Sequence, residues 1–343
     1  MNRVQWPLMF MLLALAALAL ACGGANNSGD DDHADDDAAP ADDDAADDDA
    51  ADDDAVDDDA DDDTTACWTD LPVGEKAVLA QGFAGSEGIG FSSTGELYVS
   101  AKTGVAHVHP DGSWEMIATL TYPIGIAFGP DDVMNVCDFG ASILPGVNDG
   151  AMYRVTMDGA TTLLAGGIAN PNFVTYTPWG TLLVSDAMTQ TIYEVTLDGT
   201  LTHWIDGVAA PNGMVFSEDR RALYVAGTLV FDSPVYRVDL DESGHAQTFA
   251  TIAHLDAGAL PDGAALDENG LVYLTENGLG KIVRVDPTTG AYEVVASGMK
   301  TPASMAFGRG PNFDPCSIYV TETFNALVWR VSLGVHGYPL ASE

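Results

Sequence analysis

One short phrase recurs six times along this chain. It reads Ser86-Glu87-Gly88, Pro123-Ile124-Gly125, Pro171-Asn172-Phe173, Pro211-Asn212-Gly213, Pro261-Asp262-Gly263 and Pro302-Ala303-Ser304. Each copy opens a run that continues in the same way. A second strand-like segment follows, as in Leu223-Tyr-Val-Ala226 and Ile318-Tyr-Val-Thr321, then a third, as in Val235-Tyr-Arg-Val238 and Val328-Trp-Arg-Val331. Alternating β-branched and aromatic residues mark half-buried strands. Asp-Gly and Asn-Gly turns at Asp111, Asp158, Asp198 and Asn269 separate them. A fourth segment follows most turns, such as Leu201-Thr-His-Trp204. Repeats of this length made of four strands predict an all-β, six-bladed propeller of four-stranded blades. Helical periodicity is confined to the extreme N-terminus. The stretch Ala77 to Gly82 is expected to supply the outer strand of the last blade and so close the ring.

In such a ring, equivalent residues of successive blades face one central channel. The middle position of the phrase reads Glu87, Ile124, Asn172, Asn212, Asp262 and Ala303. Pro-Asn-Gly and Pro-Asp-Gly are ordinary turn sequences, but a turn needs no Glu, and Glu87 keeps the register. The expectation is a metal site made by Glu87, Asn172, Asn212 and Asp262, with Ile124 and Ala303 packing the channel wall. Two carboxylates and two amide carbonyls are hard donors suited to one divalent cation, Ca²⁺ above all, with Zn²⁺, Mn²⁺ or Mg²⁺ as alternatives.

The propeller is expected over residues 67–343, behind two other segments. Residues 1–21 read as a lipoprotein signal peptide: Arg3, an apolar run from Leu8 to Ala21, then Cys22. That run is too short to span a bilayer. Ala19-Leu20-Ala21-Cys22 resembles a bacterial lipobox, which implies lipidation of Cys22, and Gly23 after it implies the outer membrane of the cell envelope. Residues 22–66 form an Asp/Ala-rich linker with 21 Asp between Asp30 and Asp63. Such a composition cannot bury a core and is expected to be disordered. From residue 64 onward, 31 acidic residues face 11 basic ones, a net charge of −20. That excludes nucleic acid and anionic membrane surfaces as partners; the only membrane contact expected is the lipid anchor, on a monomer. An exported chain can hold a disulfide. Cys67 before the closing strand and Cys316 in the last blade are the candidates, as a bridge or as two thiols, and Cys137 is expected as a buried thiol.

The phrases have a family likeness. Pro261-Asp-Gly-Ala-Ala-Leu-Asp-Glu-Asn-Gly270, Ile282-Val-Arg-Val-Asp-Pro287, Ser304-Met-Ala-Phe-Gly308 and Ile318-Tyr-Val-Thr321 resemble motifs of the SMP-30/gluconolactonase/luciferin-regenerating-enzyme propellers. Glu87-Gly88 resembles that family's opening motif, with Ile89 in place of Pro, and the likeness covers residues 80–323. It implies one divalent metal on Glu87, Asn172, Asn212 and Asp262, and a metal-dependent hydrolase of a lactone or ester. Asp262 would be the base or nucleophile, and Glu87 would hold charge beside it. The chain departs from the family at Phe173, where Asp is usual, and at the lack of an Arg beside Asn172, which in the family binds a sugar acid. Two long loops, Asp138 to Gly150 and Gly227 to Pro234, carry Phe139, Ile143, Leu144, Leu229 and Phe231. If they line the mouth, a hydrophobic lactone or aryl ester fits; the alternative is local packing. His107, His109 and His203 are expected at the surface. A rival reading is a non-catalytic propeller that binds protein or glycan around a structural calcium. A strictosidine-synthase-like propeller would not need the Glu/Asn/Asn/Asp set.

Overall fold

The computed structural model describes residues 66–343 apart from 84, 143–146, 341 and 343. The signal peptide, Cys22, the linker up to residue 65, and the loop residues Ile143 and Leu144 lie outside the described residues. Twenty-four strands, β1 to β24 in chain order, form six antiparallel sheets of four, and no α-helix occurs among the described residues. Five blades are built from consecutive strands. The sixth takes its outer strand from the start of the domain: β1 (Lys76–Gln81) pairs with β24 (Leu327–Ser332), after β23 (Ser317–Glu322) and β22 (Pro302–Phe307).

The innermost strands are β2 (Ile89–Phe91), β6 (Pro123–Phe128), β10 (Pro171–Tyr176), β14 (Pro211–Phe216), β18 (Pro261–Leu266) and β22. Each lies against the innermost strand of the next blade, and β22 meets β2, so the ring is closed. The apolar cores lie between blades. At the seam of the last and first blades, Phe91, Phe313 and Tyr319 meet edge to face with ring centroids 5.1–5.5 Å apart.

Three covalent or charged ties hold the N-terminal segment on the last blade. Cys67 and Cys316 are disulfide-bonded, with Cα atoms 5.1 Å apart. Arg330 forks onto Asp70 at 2.7 and 2.8 Å, reaches buried Asp314 at 3.0 Å, and lies over the Trp68 ring. The guanidinium holds the Asp70 carboxyl below its ordinary range. Cys137 is a buried thiol, and burial pushes its pKa well up, with the charges of Asp138 and Asp186 adding to the effect.

Candidate metal centre

The repeated phrase coincides with a break in strand pairing. In blades two to six the register shifts between the phrase's proline and the residue three positions on. In blade three, Pro171 faces Asp186 and Val174 faces Val184, so Asn172 and Phe173 together oppose the single residue Ser185. That is a β-bulge, which frees one residue from the alternation of the strand and re-aims it. The freed residue is the middle one of the phrase.

A bulge leaves an N–H without a ladder partner, and the chain supplies one from the neighbouring strand. The residues opposite the bulges are Ser100, Cys137, Ser185, Ala226, Thr275 and Thr321. Ser100 accepts from Gly88 N–H at 2.6 Å, Ser185 from Phe173 at 3.1 Å, Thr275 from Gly263 at 2.9 Å and Thr321 from Ser304 at 3.0 Å. Three of these hydroxyls also donate to the middle residue of the following blade. Ser100 bonds the carbonyl of Ile124 at 2.6 Å, Thr275 that of Ala303 at 2.5 Å, and Thr321 that of Glu87. Three of the six phrase positions, Glu87 among them, are thus tied through a hydroxyl to the blade beside them.

The glycine of the phrase has a steric reason. A Cβ on Gly88 would stand 2.0 Å from the Ile124 carbonyl oxygen, on Gly125 2.6 Å from that of Asn172, and on Gly213 2.1 Å from that of Asp262. The bare backbone lets adjacent blades close to this distance. Ala210 and Leu260, directly before Pro211 and Pro261, have φ of +47° and +50°. Such conformations cost about 1 kcal/mol or more for residues with a Cβ. They are held by bonds from Thr228 N–H to the Ala210 carbonyl (2.9 Å) and from Asn277 N–H to that of Leu260 (3.3 Å).

The side chains assemble as follows. Asn212 and Asp262 are buried, and Glu87 and Asn172 are half-buried. Asn277 Nδ2 donates to Asp262 Oδ2 at 3.3 Å, and the Asn212 side chain also bonds Asp262. Thr323 donates to Glu87 Oε2 at 2.7 Å. Burial pushes the Asp262 carboxyl well above its ordinary range, the nearby Glu87 charge pushes it further, and the two asparagines oppose this. Burial raises Glu87 as well, against the Thr323 hydrogen bond. Asn212 Oδ1 is buried without a hydrogen-bond partner.

These features fit a cation. Two neighbouring carboxylates, one buried and one half-buried, are costly unless an opposite charge compensates them. A buried amide oxygen with no partner is rare and points to an unfilled coordination. The donor set is all oxygen, which suits a hard divalent ion. The structure thus brings Glu87, Asn212 and Asp262 together, and it places Asn172 at the equivalent position of β10.

The sequence pattern missed Thr323, Asn277 and Tyr122. Thr323 and Asn277 occupy the same position in their blades, one residue past the end of β23 and of β19 (Val272–Glu276), and comparing that position across blades would have found both. Tyr122 precedes the phrase of blade two and stacks on Phe139 with centroids 5.8 Å apart. Burial raises its phenol, and the Glu87 charge raises it further. Phe139 also packs on the core cluster that holds Ile124 and Cys137, whereas Phe231 is 80% exposed. Lys300 lies over the Phe324 ring at 4.8 Å. At the other end of the innermost strands a cavity of about 120 Å³ is lined by Phe91, Phe128, Tyr176, Phe216, Leu266 and Phe307, and the C-terminal Tyr338 and Leu340 reach it.

Solved structures share this architecture. A gluconolactonase of Xanthomonas campestris is 19% identical with a TM-score of 0.63, over 77% of this chain and 89% of that one. The calcium-binding regucalcin of Agrobacterium tumefaciens is 21% identical with a TM-score of 0.63, over 79% and 97%. A luciferin-regenerating enzyme is 18% identical with a TM-score of 0.64, over 78% and 98%. At these identities the likeness is one of fold. No curated protein matches the chain. The family model described as the SMP-30/Gluconolactonase/LRE-like region matches residues 183–324, a span that holds Asn212 and Asp262. That match covers 142 of the 343 residues, and over that part of the propeller the chain is similar to the SMP-30/gluconolactonase/LRE-like family.

Proposed function

We propose that the protein is a metal-dependent hydrolase of a lactone or ester, with Glu87, Asn172, Asn212 and Asp262 holding one Ca²⁺. The observation that carries this reading is the unpartnered, buried Asn212 Oδ1 beside the Asp262 carboxyl, whose pKa burial and the nearby Glu87 charge push up. The bound cation would supply Lewis acidity toward the carbonyl oxygen of the substrate. Asp262 is the group placed to take a proton from water or to attack directly. Asn277 and Asn212 orient its carboxylate, and Thr323 fixes Glu87, so both carboxylates are held before substrate arrives. Tyr122 and Phe139 form a stacked aromatic wall beside Glu87. This wall favours an acyl or alkoxy group with apolar surface over a free sugar lactone, in keeping with Phe173 and with the lack of an Arg beside Asn172.

The test is a panel of lactones and esters, from sugar lactones to aryl esters, assayed on chelator-treated protein with and without added Ca²⁺, Mn²⁺ or Zn²⁺. Hydrolysis that vanishes with chelator and returns with the ion supports the proposal. Inactivity on the whole panel with every ion supplied would favour a binding propeller with a structural calcium. We also propose export and anchoring through Cys22 to the outer membrane. Cys22→Ser should release the protein from the membrane fraction; retention there would count against it.

A further inference from the structure

Blade one carries a second constellation of ligand side chains, remote from the channel in the sequence of its strand. His107 lies on β4 (Gly104–Val108), and His109 follows that strand by one residue. The two are separated by one residue, so they project from the same face of the sheet. Glu115, on β5 (Trp114–Thr119), is the cross-strand partner of His107. One ligand atom from each of the three falls within 4.8 Å of the others. We propose that His107, His109 and Glu115 form a binding site for a transition-metal dication such as Zn²⁺, distinct from the oxygen-only channel site.

The surroundings are those of a built site. The His107 ring stacks on Tyr98 of β3 (Leu97–Ala101), at 4.8 Å and 15°, and meets the His109 ring at 4.4 Å and 62°. Its Nε2 lies 2.8 Å from Glu96 Oε2. A carboxylate on one ring nitrogen fixes the tautomer and the ring orientation, as it does for metal-bound imidazoles generally. His107 is therefore held before any ion arrives. His109 Nε2 and Glu115 Oε1 are 4.0 Å apart, and Glu115 is solvent-exposed. Ligands at about 2.0–2.2 Å from a tetrahedral Zn²⁺ stand roughly 3.4 Å from one another. Rotation of the Glu115 and His109 side chains, 68% and 38% exposed, covers the difference. Two imidazoles and one carboxylate select Zn²⁺, Cu²⁺ or Ni²⁺ and not Ca²⁺. Three protein ligands leave one position for water. An ion here would tie β4 to β5, with Tyr98 of β3 and Glu96, the residue before that strand, as support.

The experiment is a Zn²⁺ titration by calorimetry of the full chain in excess Ca²⁺, compared with His109→Ala and with the double variant His107→Ala/His109→Ala. His109 sits at an exposed turn, so its removal leaves the fold intact even if the double variant is unstable. The expected result is the loss of one Zn²⁺ equivalent, or at least a tenfold weaker affinity, in His109→Ala, with Ca²⁺ stoichiometry unchanged. Glu96→Gln should weaken Zn²⁺ by about ten- to a hundredfold. Zn²⁺ stoichiometry and affinity identical in wild type and His109→Ala would overturn the proposal.

Discussion

At the scale of single residues, Asn212 and Asp262 are close in size and chemistry but are asked to do different things. Asn212 offers an oxygen, whereas Asp262 offers an oxygen and a proton acceptor. Asp262→Asn should therefore keep the fold and much of the metal affinity but lose activity about a hundredfold or more, as removal of a general base or nucleophile does. Asn212→Asp should hold the cation at least as tightly and lose rate only through weaker Lewis acidity. Steady-state kinetics on both variants, with metal content measured alongside, checks the pair; an Asp262→Asn enzyme of full activity would remove Asp262 from the chemistry. The raised carboxyls also set a pH dependence. Glu87 and Asp262 bind protons more tightly in the folded than in the unfolded chain. Between the unfolded value near 4 and the folded values above it, stability of the metal-free protein should therefore fall as pH rises. With the cation bound the charged forms are the stable ones, so added Ca²⁺ should flatten or invert the slope. Melting temperatures from pH 4 to 8 with chelator and with Ca²⁺ test this, and identical slopes would contradict it.

At the scale of elements, the strand with its bulge is the unit that positions the site. Its signal was only half visible in the sequence. The Pro-X-Gly phrase was legible because turn residues and ligand residues stand in register, and because Gly88, Gly125 and Gly213 cannot carry a Cβ. The hydroxyls opposite the bulge were not legible as such, because Ser100, Ser185, Thr275 and Thr321 are also ordinary strand residues, and their partners lie across a ladder that a linear reading does not pair. The same holds for Thr323 and Asn277, which look like loop polarity until the neighbouring carboxylates are in place. Thr275→Val keeps the shape but leaves the buried Gly263 N–H without a partner. It should destabilise by about 1–3 kcal/mol, while Thr275→Ser should be close to neutral. Chemical denaturation of the two variants distinguishes them, and a loss in Thr275→Ser with none in Thr275→Val would mean that the methyl, not the hydroxyl, matters.

At the scale of the whole molecule, the six-blade count, the four strands per blade and the closing strand were readable from the repeat alone, the last within one residue: β1 spans Lys76–Gln81. Long-range closure was less so. The bridge between Cys67 and Cys316 spans 249 residues of sequence, and the Asp70–Arg330–Asp314 cluster joins the same two places. Spacing along a chain cannot show that these groups meet. Since β1 completes the last blade, anything that frees the N-terminal segment should loosen the ring as a unit. Cys67→Ser should cost about 2–5 kcal/mol, seen as a lower melting temperature; no change would mean that strand pairing and Arg330 alone secure the closure.

All of this rests on the channel holding a cation on residues from different blades. The most direct test is a calorimetric Ca²⁺ titration of the chelator-stripped full chain and of its Glu87→Gln and Asp262→Asn variants. The account predicts one Ca²⁺ site per chain in the wild type, weakened at least tenfold by Glu87→Gln. No Ca²⁺ binding, or binding that neither substitution alters, would contradict it.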